Sequence, residues 1–104
     1  MKIKPGVTMA GLSPRMRIVL IYAEKIWKTY DEELVVTSAL DGEHSAGSLH
    51  YYGYALDLRT RYFTPEAAAA VARELSDELT RIDLDFRVIK EKTHIHVQHQ
   101  GVIR

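Results

Sequence analysis

The apolar residues of this chain follow a helical spacing in two segments and a strand-like spacing in four others. In residues 14–30 they recur every three or four positions, which predicts an amphipathic helix beginning at Ser13-Pro14, a cap followed by a proline. Residues 64–81 repeat this spacing and open in the same way with Thr64-Pro65, so a second helix is predicted there.

Four shorter segments have the composition or the alternation of strands: residues 34–38, 54–59, 86–89 and 94–99. Residues 1–12 are expected to be a lead-in and residues 41–47 a loop. The order α-β-β-α-β-β predicts an α+β fold, in which a small antiparallel sheet has two helices packed on one face. The length of 104 residues predicts a single domain over residues 1–104.

Alternation within the predicted strands gathers polar side chains on one side. In the strand 94–99, His94 and His96 share one face, and the apolar residues between them share the other. The same alternation places Asp57 on the less apolar face of its own strand. An aspartate in an otherwise apolar strand needs a partner, which a metal ion would supply and which Arg59, on the same face, would supply equally well.

The composition limits the chemistry and the partners. The chain has no cysteine, so any zinc site must be built from histidine and carboxylate. The formal net charge is zero and no basic run stands out, which argues against nucleic acid or an anionic membrane as a partner. The apolar run 18–23 is too short to span a bilayer and lacks a cleavage site behind it, so neither a transmembrane segment nor a signal peptide is predicted.

Two segments combine residues that suit a metal centre. Residues 48–57 read S-L-H-Y-Y-G-Y-A-L-D, and residues 91–97 read E-K-T-H-I-H-V. Within the first, Gly53 would permit a close approach of the backbone. Together the segments offer imidazoles and one carboxylate for a metal, plus a spare acid. Three protein ligands with an open fourth position are typical of a catalytic zinc site.

These segments resemble the signature of the LAS group of zinc metallopeptidases. That group holds bacterial D-Ala-D-Ala carboxypeptidases, D-Ala-D-Ala dipeptidases and phage L-alanyl-D-glutamate endolysins, and the hedgehog signalling domain is similar to it. Residues 44–50, H-S-A-G-S-L-H, followed by H-I-H, are most similar to the hedgehog-like branch. The resemblance covers residues 35–58 and 91–97 and leaves the rest of the chain unmatched. It implies a fold like that of hedgehog and the D,D-peptidases.

The resemblance also implies a role for each matching residue. His50, Asp57 and His96 would be the ligands of a zinc ion, Zn²⁺. Glu91 would be the general base that accepts a proton from the attacking water. His94 would line the site and donate a hydrogen bond to the developing oxyanion.

Two further residues are assigned to substrate binding, and one choice stays open. His44 matches a second site-lining histidine of the hedgehog-like branch, and Ser48 either supports the loop of the first ligand or merely caps it. In many enzymes of the group the base stands three residues before the third ligand. Glu91 stands three residues before His94, so either His94 is that ligand or, as the H-I-H-V context favours, His96 is.

The resemblance implies a zinc-dependent peptidase, a carboxypeptidase or an endopeptidase, that hydrolyses peptide bonds of bacterial peptidoglycan. A phage or prophage lysis enzyme, made in the cytoplasm and acting on the cell wall once released, would fit the small size of the chain. It would also fit the missing wall-binding domain and the missing signal. The alternative is a non-catalytic, hedgehog-like zinc module that binds a partner. A third interpretation is an α+β domain whose histidines are incidental.

Overall fold

The structure, a computed structural model, describes residues 1–40 and 53–100. Within these ranges the chain forms two helices, α1 at Met16–Thr29 and α2 at Pro65–Ile82. The strands are β1 at Lys2–Ile3, β2 at Val35–Ser38, β3 at Ala55–Arg59, β4 at Phe86–Lys90 and β5 at His94–His99. The α+β class is confirmed. Neither described helix combines the length and apolar character that a membrane span requires.

The strands form a single sheet in the order β1-β2-β3-β5-β4. The pairs β2–β3, β3–β5 and β5–β4 are antiparallel, as predicted, while β1 pairs with β2 in parallel. The sequence pattern does not mark β1, because its two residues are both exposed and show no apolar alternation. Strand β1 lies in the segment predicted to be a lead-in.

Both helices pack on the same face of the sheet and bury their apolar stripes there. Helix α1 contributes Met16, Val19, Ala23 and Trp27. Helix α2 contributes Ala68, Val71, Leu75 and Leu79. The central strands meet these stripes with Leu56, Leu58, Ile95 and Val97. Removing these side chains from water is the main stabilising contribution to the fold, at about 1.5–3 kcal/mol for each large aliphatic residue.

The two helices begin differently, although the sequence predicts the same start for both. In α2 the Thr64 hydroxyl accepts a hydrogen bond from the backbone N–H of Ala67 at 3.1 Å, which confirms the predicted cap. Helix α1 begins later than predicted, at Met16, after a turn in which the Met16 N–H donates to the carbonyl of Ser13 at 2.9 Å. The Ser13 hydroxyl instead accepts a hydrogen bond from the backbone of Arg15 at 3.3 Å.

The indole of Trp27 fixes the end of β3 against α1. Its Nε1 donates to the hydroxyl of Tyr62 at 2.9 Å and also lies 3.3 Å from the carbonyl oxygen of Arg59. The Tyr62 hydroxyl in turn donates to the carbonyl of Glu33 at 2.6 Å. These contacts hold the chain that leaves β3 close to the segment before β2.

Candidate metal-binding site

The site lies on the sheet face that points away from the helices, on the central pair β3–β5. In the antiparallel register Asp57 lies opposite His96, and Arg59 lies opposite His94. Burial alternates along β5, where His94 and His96 are half-buried and the residue after each of them is buried. The prediction that both histidines and Asp57 share the less apolar face is therefore confirmed.

One carboxylate contacts both imidazoles. Oδ1 of Asp57 lies 3.0 Å from Nδ1 of His96, and Oδ2 lies 3.8 Å from Nε2 of His94. The side chains of Asp57, His96 and His94 are 15%, 18% and 31% exposed. Among the described residues these are the ionic contacts of Asp57, so Arg59 on the same face is not its partner. A partly shielded carboxylate therefore lies beside two imidazoles on one surface of the sheet.

The ring of His96 is held from both sides. Its Nε2 lies 2.7 Å from Oε1 of Gln98, on the side opposite Asp57. The hydrogen bond to the Asp57 carboxylate raises the pKa of His96 above its ordinary value, while burial acts in the opposite direction. The Gln98 contact and the negative charge of Glu91 raise this pKa further. A proton and a metal ion would therefore compete for this ring.

The predicted general base, Glu91, lies in the turn between β4 and β5. Its backbone N–H donates to the carbonyl of His94 at 2.8 Å, which places it beside the first residue of β5. Its carboxylate is exposed, and the negative charge of this carboxylate raises the pKa of His96. The hydroxyl of Thr93 contacts the other imidazole, at 3.4 Å from Nδ1 of His94.

The structure brings together part of the predicted site. Asp57, His94 and His96 are adjacent, and Glu91 lies in the turn that precedes them. The remaining predicted site residues, His44, Ser48 and His50, lie outside the described residues. The glycine of the motif, Gly53, has φ of 76° and approaches the backbone of Gly11, so the predicted close approach is confirmed.

A cavity of about 310 Å³ opens beside Asp57 and His94, next to the ends of β1 and β2. A larger cavity of about 540 Å³ lies between the two helices, where it is lined by exposed acidic and basic side chains and contains no histidine. The smaller cavity is therefore the one that belongs to the candidate site.

A second group of possible metal ligands lies where α2 ends. Asp83, Asp85 and His99 place one ligand atom each within 4.8 Å of one another, an arrangement that could hold a metal ion. This group is not predicted from the sequence, although two features indicate it: D-L-D at residues 83–85 and the position of His99 on the buried side of β5.

The contacts of Asp83 give this second group a structural role as well. Its Oδ2 accepts hydrogen bonds from Arg15 at 2.6 Å and His99 at 2.9 Å, and its Oδ1 accepts one from the backbone of Asp85 at 2.9 Å. The Asp85 hydrogen bond, followed by that of His99, lowers the pKa of Asp83 to about 2. A metal ion there would have to displace the Arg15 guanidinium. The simpler explanation of Asp83 is that it links α1 to β5.

No protein-family model matches the chain, and no curated protein matches it at a significant level. The family resemblance therefore rests on the two sequence segments alone. The structure adds to it the proximity of Asp57 to His94 and His96.

Proposed function

We propose that the chain is a zinc-dependent peptidase that hydrolyses peptide bonds in bacterial cell-wall peptides. The observation that carries this proposal is the Asp57 carboxylate, which lies 3.0 Å from the His96 ring and 3.8 Å from the His94 ring. Asp57 and His94 line a cavity on this half-buried sheet face, and the His96 ring lies next to Asp57.

The donor set suits zinc in a chain without thiolates. Carboxylate oxygen and imidazole nitrogen are the usual zinc ligands when cysteine is absent. Asp57 and His96 would supply two ligands, and His50 would supply the third, as the family resemblance implies. When bound, zinc would polarise a carbonyl and make a water molecule more acidic.

The other groups have roles that need no metal contact. The exposed Glu91 carboxylate would accept the proton of the attacking water and pass it to the leaving amine. In this register His94 is not a ligand, and its ring would donate a hydrogen bond to the oxyanion that develops on the scissile carbonyl. Removing a general base typically lowers the rate by about 10²–10⁴-fold.

A specific observation keeps the binding module as a second candidate. The two ring nitrogens of His96 already have protein partners, Asp57 at 3.0 Å and Gln98 at 2.7 Å. A ring held on both sides suits a rigid, hedgehog-like module that would bind a partner without hydrolysis. The peptidase would hydrolyse its peptide substrate, whereas the binding module would hydrolyse none.

The decisive experiment is mass spectrometry of purified muropeptides after incubation with zinc-loaded protein, with a chelated sample alongside. New chelator-sensitive fragments would establish a metallopeptidase, and their masses would identify the bond. Intact muropeptides, together with one tightly bound zinc per chain in the same sample, would reject the peptidase in favour of the binding module.

A further inference from the structure

The two outer strands of the sheet differ in how much backbone they leave unpaired. Among residues 1–40 and 53–100, the strand order ends with β1 on one side and β4 on the other. Strand β1 has only two residues, whereas β4 has five and carries Ile89, which is 44% exposed. An edge strand with unpaired N–H and C=O groups and an exposed apolar side chain is a template for pairing with another chain.

The ladder with β5 determines which backbone groups of β4 point outward. The N–H of Glu91 donates to the carbonyl of His94 at 2.8 Å, so these two residues form a hydrogen-bonded pair. Hydrogen-bonded positions alternate in an antiparallel ladder, and the odd-numbered residues of β4 therefore bond to β5. Val88 and Lys90 consequently direct their N–H and C=O groups toward the outer edge.

These outward groups limit how two copies of β4 can pair antiparallel about a two-fold axis. An axis between two residues would set outward groups against inward ones, so the axis must pass beside a single residue. At Arg87 or Lys90 it would place two like charges directly opposite each other, which is destabilising. At Val88 it would set the charged Arg87 opposite the partner's apolar Ile89.

An axis beside Ile89 matches the side chains instead. The Ile89 side chains of the two copies then face each other, and Arg87 of each copy lies opposite the partner's Glu91. Val88 of each copy exchanges hydrogen bonds with the partner's Lys90, so the outward backbone groups are satisfied. An apolar centre between two symmetric ion pairs is complementary to itself, and this favours a second copy of the chain as the occupant of the edge.

Helix α2 leaves room for a partner beside this edge. Glu74 and Glu78 line the groove toward α1, on one flank of the buried stripe of α2. The helical repeat places Ala72, Ser76 and Thr80 on the opposite flank. Since α2 packs over β4, that flank faces the outer edge, and its side chains are small and uncharged.

We propose that the chain forms a two-fold symmetric dimer in which β4 pairs antiparallel with β4 of a second copy about Ile89. This inference goes beyond the proposed peptidase activity and does not depend on it. The pairing joins the two five-stranded sheets into one. Ile89 lies opposite His96 in the β4–β5 register, so both candidate metal sites lie on the same face of the joined sheet. Three strand spacings separate the two copies of β5, a distance of roughly 14 Å.

The first test is the mass of the full chain in solution, with a chelator present so that zinc cannot bridge two copies. A dilution series from about 1 mM to 1 μM covers weak and moderate affinities, and light scattering should show two chains at the upper end. Ile89→Lys and Arg87→Glu each set like charges opposite each other and should weaken association roughly tenfold or more. Ile21→Lys and Arg17→Glu, at exposed positions on α1, are the matched controls and should dimerise as the unmodified chain does.

The second test probes the register through a disulfide, because the chain has no cysteine of its own. At the axis the two Cα atoms of a pair without hydrogen bonds lie about 4.5 Å apart, which a disulfide can span. Mild oxidation of Ile89→Cys should therefore give a covalent dimer. Lys92→Cys, exposed in the turn after β4, is the control and should not cross-link, because the proposed register keeps its two copies far apart.

Three results would each overturn the inference. The first is an unmodified chain that stays monomeric at about 1 mM, which is the weak end of the affinity range. The second is a dimer that survives both Ile89→Lys and Arg87→Glu. The third is cross-linking of Lys92→Cys as rapid as that of Ile89→Cys. Denaturant midpoints of the variants, measured alongside, distinguish loss of the dimer from loss of the fold.

Discussion

The Nδ1 atom of His96 lies 3.0 Å from Oδ1 of Asp57, directly across the β3–β5 register. The two residues are 39 positions apart in the chain, so only the pairing of these strands brings them together. A ring nitrogen that faces a carboxylate can carry a proton or a metal ion, but not both. The chemistry of the site therefore depends on which of the two is bound.

Zinc affinity is expected to fall as the pH is lowered through the raised pKa of His96. Metal binds the neutral ring, and the Asp57 contact keeps this ring protonated to a higher pH than the ordinary histidine value of 6.5. In metal-free protein, lowering the pH has the opposite effect and stabilises the fold. The raised pKa of His96 makes its full contribution to stability below pH 6.5, and this contribution is lost as the pH rises through the pKa of His96 in the folded protein. Zinc titrations against a competing chelator between about pH 5.5 and pH 8 measure the first effect. A constant affinity over that range would contradict it.

Two substitutions test which of the two candidate metal groups binds zinc. Asp57→Asn should lower zinc affinity by roughly a hundredfold or more, because it removes a proposed ligand and the partner of His96. Asp85→Asn, in the group at the end of α2, should leave zinc affinity unchanged. Metal analysis after dialysis measures both variants in parallel. Loss of zinc in Asp85→Asn with retention in Asp57→Asn would move the metal site to the second group.

Acid should weaken the fold through Asp83. Its pKa is lowered from 3.8 to about 2, so its contribution is complete above pH 3.8 and is lost as the pH falls toward 2. Asp83→Asn should lower the free energy of unfolding by about 1–3 kcal/mol at neutral pH, because Arg15 and the buried His99 lose a charged partner. Urea unfolding at several pH values measures both effects. Asp77→Asn, at an exposed position on α2, is the control and should change little.

The sequence predicts local structure well where side-chain spacing or a cap determines it. Thr64 is the cap of α2 because its hydroxyl satisfies a helical N–H, and alternation alone places His94 and His96 on one face. The pairing of Arg15 with Asp83 is not predictable in this way, because 68 positions separate the two residues. Strand β1 is not predicted for another reason, because its two exposed residues show no periodic pattern of apolar positions. The sequence thus predicts which face of a strand a side chain occupies, while its partner across the sheet depends on the strand order.

Gly53 should tolerate no side chain. Its φ of 76° disfavours other residues, at about 1–2 kcal/mol, and a Cβ atom would overlap the carbonyl oxygen of Gly11. Gly53→Ala should therefore destabilise the fold by more than Gly6→Ala, whose φ is 91° but whose Cβ would meet open space. The difference in the denaturant midpoints of the two variants isolates the steric overlap. Equal destabilisation would show that the backbone near Gly11 yields without cost.

The role of Glu91 decides between the peptidase and the binding module. In the peptidase, Glu91→Gln should lower muropeptide turnover by about 10²–10⁴-fold, because the amide cannot accept the proton of the attacking water. Zinc content should stay unchanged, since the side chain lies exposed in the turn before β5 and is not a proposed ligand. Glu66→Gln, exposed at the start of α2, is the matched control and should keep full turnover. Parallel measurement of turnover and bound zinc separates the possibilities, because loss of both would make Glu91 part of the metal site, and loss of neither would remove it from the mechanism.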